Sequence, residues 1–165
     1  MNQNESETVP DPESYIGVEG GRLNANLLRR FAAECCRRVS DLITDPIYLK
    51  LLEFAERRAS NSPSQDQLTA LRSEATRLYD TLYPGYGSPS AAALALTAVG
   101  EAAFTDSSAD AAISASSTAA EARATAAAMA VDDDRYDDTH DETYADERQC
   151  QLAMLKRLDP TSTKI

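Results

Sequence analysis

Leu27-Leu28-Arg29-Arg30-Phe31-Ala32-Ala33-Glu34-Cys35-Cys36-Arg37-Arg38-Val39, continuing through Leu42-Ile43-Thr44-Asp45, is the stretch that decides the fold. Leu28, Phe31, Ala32, Cys35, Val39, Leu42 and Ile43 recur three or four positions apart, so they share one face of a helix. Arg29, Arg30, Glu34, Arg37 and Arg38 fall mostly elsewhere on the same helix. An apolar stripe with a charged reverse is the pattern of a helix laid on a core, and it predicts helix over about residues 23–43.

Moving toward the C-terminus, Asp45-Pro46 marks a new start. Asp caps a helix N-terminus well, and proline suits the first helical position because its missing N–H has no intrahelical partner there. A second helix is expected up to about Ala59, with Tyr48, Leu51, Leu52, Phe54 and Ala55 on its apolar side. Ser60-Asn61-Ser62-Pro63 breaks it. Ser64 with Gln67 three residues on has the capping-box pattern. A third helix follows, striped by Leu68, Leu71, Ala75, Leu78 and Leu82, and Tyr83-Pro84-Gly85-Tyr86-Gly87-Ser88-Pro89 stops it.

Beyond residue 90 the composition changes, and 19 of the 40 residues from Ala91 to Ala130 are alanine. Alanine has the highest helix propensity, so the run reads as two helices divided near 104–108, with low-complexity disorder as the alternative. Ile113 and Met129 are its only large apolar residues after Phe104. Residues 131–142 hold seven carboxylates between Asp132 and Glu142 and read as a solvated acidic loop. A last helix is expected over about 142–158, then a tail over 159–165. At the other end, residues 1–20 are acidic and polar with Pro10 and Pro12, and read as a disordered or extended arm.

The expected fold is therefore all-α: one helical domain over 21–158, with five or six helices in an antiparallel bundle or an irregular helical array. Helix should cover roughly 60–75 % of residues, well above the ordinary base rate.

The segment quoted first resembles the signature of a large helical family abundant in planctomycete bacteria. Its members read Leu-Arg-Leu-Phe-Ala-Cys-Ala-Cys-Cys-Arg-Arg-Ile followed by a Leu-Leu-Thr-Asp turn. Phe31-Ala32-x-x-Cys35-Cys36-Arg37-Arg38 is the specific part of the match. Ala55-Glu56-Arg57, the alanine-rich middle and Glu147-Arg148-Gln149-Cys150-Gln151-Leu152 are similar to later elements of that family. The chain departs from it at Ala33, where the family has its first cysteine, and at Glu34, where it has a small residue. The resemblance implies a helical fold and a reducing compartment, and it carries over no active site.

Charge bounds the partners. The net charge is −11, which opposes binding to nucleic acid or anionic lipid. It is segregated: Arg22 to Arg58 holds eight basic against five acidic residues, while Glu101 to Glu147 holds thirteen acidic residues against Arg123 and Arg135. The oppositely charged parts either pack on one another or leave one to face a partner. Arg29, Arg30, Arg37 and Arg38, two turns apart in pairs, form a candidate interaction face. The plainer reading is pairing with the chain's own acids.

Cys35 and Cys36 are candidate reactive thiols, for a redox response or a soft metal. With Cys150 and His140 they reach four zinc-type ligands in number, but zinc modules use C-x₂₋₄-C pairs, and adjacent helical residues diverge by about 100°. Plain core packing is the alternative. Three cysteines make no disulfide framework, which suits a cytoplasmic setting. The acidic loop lacks the glycine and spacing of a calcium-binding hand. His140 is the sole histidine, so a triad or a histidine general base would have to use it, and it stands in the acidic run. No phosphate loop or nucleophile motif is present. The sequence expectation is thus a non-enzymatic helical interaction or adaptor domain with a protein partner, no cofactor, no nucleic acid and no membrane. A small sensing subunit using Cys35 and Cys36 is the alternative, and an enzyme of unrecognised class the third reading.

Overall fold

The computed structural model describes residues 11–58, 60, 62–83 and 85–161. It is all-helical, with 78 % of the described residues in helix and no strand among them. Seven α-helices follow in order: α1 (Pro12–Glu19), α2 (Ala25–Arg37), α3 (Pro46–Arg58), α4 (Gln65–Leu82), α5 (Ala91–Phe104), α6 (Ser108–Ala128) and α7 (Tyr136–Leu158). Five or six had been expected, and α1 is the helix that the sequence pattern hid.

The starts are where the caps place them. Asn24 Oδ1 accepts from the Leu27 N–H at 2.8 Å, Asp45 Oδ1 from Ile47 N–H at 2.9 Å and Ser64 Oγ from Gln67 N–H at 3.3 Å. Ser90 and Ser107 do the same for α5 and α6. Each satisfies one N–H that the first helical turn leaves without a backbone partner. The predicted first helix is shorter than its stripe: α2 ends at Arg37, and Ser40–Leu42 form a 3₁₀ turn that swings the chain toward α3. The glycines of the α4–α5 loop are required there, since Gly85 and Gly87 have φ of 90° and 77°.

Three expected irregular regions are corrected. Residues 12–19, read as part of an arm, form α1, because Asp11 caps it and Ile16 is buried against the core. Residues 1–10 of that arm lie outside the described residues. The acidic loop 131–142 is mostly helix: after a 3₁₀ turn at Asp133–Arg135, α7 begins at Tyr136. Its carboxylates at Asp137 and Asp138 occupy the first turn, where the helix dipole favours negative charge. Of the tail, Asp159 is buried and accepts from the Tyr15 hydroxyl at 2.7 Å, which ties α1 to the end of α7; residues 162–165 lie outside the described residues.

α6 is the centre of the molecule, packed against α1, α2, α5 and α7. Ala111, Ala112, Ala115, Ala119, Ala120, Ala122, Ala124 and Ala128 are all fully buried on it. These positions go right round the helix, so no amphipathic stripe exists to be found. Small side chains let neighbouring helices approach toward the short end of the usual 8–10 Å spacing. The bulk is supplied by the neighbours: Phe31 from α2, Val99 from α5 and Leu155 from α7 are each buried, and Tyr48 and Leu51 are buried on α3, which packs on α2 and α5 in turn.

α4 is held differently. None of its described residues is fully buried, and Leu71, Ala75, Leu78, Tyr79 and Leu82 are partly buried against the core. Its anchor is the far end of α5. The Arg72 guanidinium, from α4, lies 5.2 Å from the Phe104 ring centroid and donates to the Phe104 carbonyl at 3.3 Å. Arg58, the last residue of α3, donates to Ala103 O at 2.5 Å. Arg29, from α2, donates to Thr105 O at 2.8 Å, Asp106 O at 2.5 Å and Ala102 O at 3.4 Å. Three helices thus each send one guanidinium to the carbonyl end of a fourth.

Two outcomes separate the packing roles. Phe31→Ala should lower stability by about 3–5 kcal/mol, from lost burial plus a cavity. Ala115→Leu should also destabilise, by about 1–3 kcal/mol or more, because the added side chain has no space beside α6. Urea denaturation measures both, and a neutral Ala115→Leu would remove α6 from the centre.

The Tyr15–Asp159 bond gives an alkaline signature. Burial, and then the bond to the Asp159 carboxylate, push the Tyr15 phenol up to about 12. The neutral phenol is the folded form, so its contribution is complete below the unfolded value of about 10 and is lost as pH rises through about 12. Absorbance titration should show this tyrosine ionising late, and Tyr15→Phe should remove that late step.

Candidate functional site

The four arginines of α2 were expected to form one basic face, and the structure divides them. Arg29 is buried beneath the end of α5, with three of its five N–H groups given to carbonyls. It does not belong to an exposed face, because its position on the helix points it into the α5–α6 connection. Burial, and next the positive charge of Arg58, lower its pKa.

Arg38 is also committed. Its Nε and Nη2 donate to the two Glu147 carboxylate oxygens at 2.6 and 2.8 Å, a bidentate pair that joins α2 to α7. Glu147 is buried, so this pair is the condition for carrying its charge inside the fold. The bond to Glu147 raises the Arg38 pKa. Arg123 of α6 adds a second clasp, donating to the Arg38 carbonyl and, at 2.6 and 3.0 Å, to the Asp41 carboxylate. The Arg123 bonds hold the Asp41 carboxyl below its ordinary pKa.

Arg37 and Arg30 remain on the surface. Arg37 is ion-paired with Glu56 of α3. Arg30 is exposed, and among the described residues it has no ion pair or hydrogen bond. Both line an open groove of about 560 Å³ between α2 and α3, with Asn26, Glu34, Glu56 and Ser60. Ala33 also lines it. The groove therefore offers one committed cation, one uncommitted cation, and polar groups on either side.

The cysteine pair lies on the other side of α2. Cys35 and Cys36 are both fully buried. Burial raises both thiol pKa values, helped by Cys36 and Glu147 at Cys35 and by Glu101 at Cys36. The Cys36 carbonyl accepts from the Tyr48 hydroxyl at 2.7 Å, closing the packing over it. In this fold neither sulfur is reachable and neither is disposed to ionise, which is the opposite of a reactive thiol. Cys150 is exposed on α7. Among the described residues no group of three or more His, Cys, Asp or Glu side chains is placed to hold a metal ion.

His140 sits in a stack rather than a triad. Its ring lies parallel to Tyr136 and Tyr144, one turn to either side, with centroids 6.2 and 6.5 Å away. Nε2 is 3.0 Å from Glu121 Oε1 of α6.

Sequence reasoning missed two polar assemblies. Arg148 and Gln151, one turn apart on α7, are both buried; Arg148 donates to Ser116 Oγ at 3.1 Å and to Gln151 Oε1 at 3.0 Å, and Gln151 Nε2 donates to Ser116 O at 2.9 Å. The available signal was the apolar spacing of Leu152 and Leu155, which turns Arg148 and Gln151 inward. The second is the arginine cluster on α5, completed by Arg58 and Arg72, which lie at unremarkable positions in their own helices.

With this geometry in place, comparison adds no relative. The chain matches no protein-family model, no curated protein and no solved structure. No helix of the described residues is long and apolar enough to cross a membrane.

Thiol titration distinguishes the cysteines. In the native protein Cys150 should react at once with an aromatic disulfide reagent, and Cys35 and Cys36 only as fast as the protein opens. Three equivalents should appear promptly in denaturant. Rapid native labelling of either member of the pair would mean that the packing between Tyr48 and α2 is wrong.

Proposed function

We propose that this protein is a non-enzymatic helical interaction module, an irregular array around α6, whose partner is another protein docked in the α2–α3 groove. The observation that carries the reading is Arg30: it is the one arginine of the α2 set left uncommitted among the described residues, at a groove large enough to admit a side chain or a short segment. A guanidinium in that position is suited to a carboxylate of the partner, bound through two parallel N–H groups. Glu34 on the groove wall favours a partner segment that also carries a basic residue, which sets register as well as attraction. The acidic chain as a whole disfavours nucleic acid and anionic membranes, and its three free cysteines suit the cytoplasm. The planctomycete-family resemblance is compatible with such a module. A thiol-sensing role is less well supported, because it requires α2 to lift from the core before Cys35 or Cys36 can react.

Cross-linking capture from the native host tests this. A partner recovered with the wild-type chain should fall at least tenfold with Arg30→Glu and weaken as salt is raised. Circular dichroism should match wild type and stability stay within about 0.5 kcal/mol of it, since Arg30 is exposed and makes no hydrogen bond or ion pair among the described residues. Undiminished capture by a folded Arg30→Glu protein would exclude the groove as the docking surface.

A further inference from the structure

Three adjoining cavities open between α3 and α4. One, of about 340 Å³, is lined by Arg29, Arg58, Ser62, Gln65 and Asp106. A second, of about 180 Å³, shares Arg58, Ser62 and Pro63 with it and reaches Phe54. A third, of about 310 Å³, shares Phe54, Arg57 and Gln67 with the second and continues past Ala70 and Leu71. The shared walls make one cleft, with Arg29 and Arg58 at one end and Phe54, Ala70 and Leu71 along the other, where Lys50, Glu53 and Arg57 also join the lining.

At the cationic end two guanidiniums meet one carboxylate, and the rest of their compensation comes from the carbonyl end of α5. Arg29 is 7 % exposed and the Arg58 side chain 11 %, yet the carboxylate paired with Arg58 is that of Asp106, whose side chain is 99 % exposed. The mutual repulsion is visible at Arg29, whose pKa is lowered by burial and then by Arg58. Each guanidinium carries five N–H donors, and the bonds to α5 and Asp106 use three at Arg29 and two at Arg58. The first turn of α4 closes the same cavity, and the positive end of that helix dipole adds to the field.

We propose that the α3–α4 cleft binds a small amphiphilic anion, its carboxylate or phosphoryl head on Arg58 and Arg29 and its apolar chain along Phe54, Ala70 and Leu71. The planar guanidinium fork matches either head group. Asp106 holds Arg58 from the solvent side and is the group an entering anion displaces. This reading is independent of the α2–α3 groove, which lies on the other flank of α3 and takes a protein.

Calorimetric titration of the full chain with monomeric octyl phosphate and octanoate tests it, with octyl glucoside and inorganic phosphate as probes of tail and head alone. At least one of the two anionic amphiphiles should bind tenfold or more tighter than both controls. Arg58→Gln should weaken that binding at least tenfold. Asp106→Asn should tighten it severalfold, a gain that a purely structural role of the arginines would not produce. Ala70→Trp should weaken the amphiphile while leaving inorganic phosphate unaffected. Affinity no better than that of octyl glucoside would overturn the anionic site, and affinity no better than that of inorganic phosphate would overturn the apolar one. Should Arg58→Gln fail to fold, as circular dichroism would show, Asp106→Asn decides: unchanged or weaker binding there refutes the proposal.

Discussion

The carbonyl end of α5 is the constraint on which the outer helices depend. The last turn of any helix leaves C=O groups without intrahelical donors, and it carries the negative end of the helix dipole. Here the Ala102, Ala103, Phe104, Thr105 and Asp106 carbonyls accept from Arg29, Arg58 and Arg72. Five carbonyls and three guanidinium groups from three separate helices meet within five residues of chain. Buried carbonyls left unmet would cost about 1–3 kcal/mol each, so the arrangement depends on α2 and α3 standing in place, while the bond from α4 is exposed and adds less. Side chains that look like a cationic surface in the sequence are thereby turned into fasteners.

A second constraint runs through α6. A helix whose buried residues are nearly all alanine contributes little apolar area of its own, and it is stable because it is enclosed. Larger residues on α2, α5 and α7 close over it, while Arg148, Gln151 and Ser116 lock α7 to it through bonds that also satisfy each polar group. Such a network fixes the rotation of α7 against α6 more narrowly than alanine packing alone would, since sliding either helix leaves a buried guanidinium without its acceptors.

The parts of this architecture that were legible in the sequence are those written in local chemistry. Asp45-Pro46, Ser64 with Gln67, and the Thr105–Ser108 break each mark a helix boundary by the needs of a few backbone N–H groups. The stripe Leu28, Phe31, Cys35 and Val39 marks a buried face by its period alone. What stayed hidden depends on partners remote in the chain. α1 is too short to show a period, and its Ile16 is buried only because other helices supply the wall. α7 starts inside a run of aspartates because its dipole and the Glu121–His140–tyrosine stack support a segment whose composition reads as loop. Arg29 and Arg30 are neighbours of one type, and a rotation of about 100° sends one into the core and the other into solvent. The stripe places Arg29 nearer the buried face than Arg30, but the carbonyls that receive Arg29 belong to the end of α5, far along the chain.

The shallow seating of α4 has a consequence for how the molecule moves. A helix of 18 residues with no fully buried side chain, joined to the rest by partly buried leucines and by Arg72, has little area to lose on detachment. Local opening free energies range from near zero up to the global value, and such an element belongs at the low end. Its backbone amides will exchange with solvent hydrogen earlier than those of α6, whose opening requires the whole array to come apart. The protein is therefore graded from an immobile centre to a yielding rim, and the rim is one wall of its α3–α4 cleft.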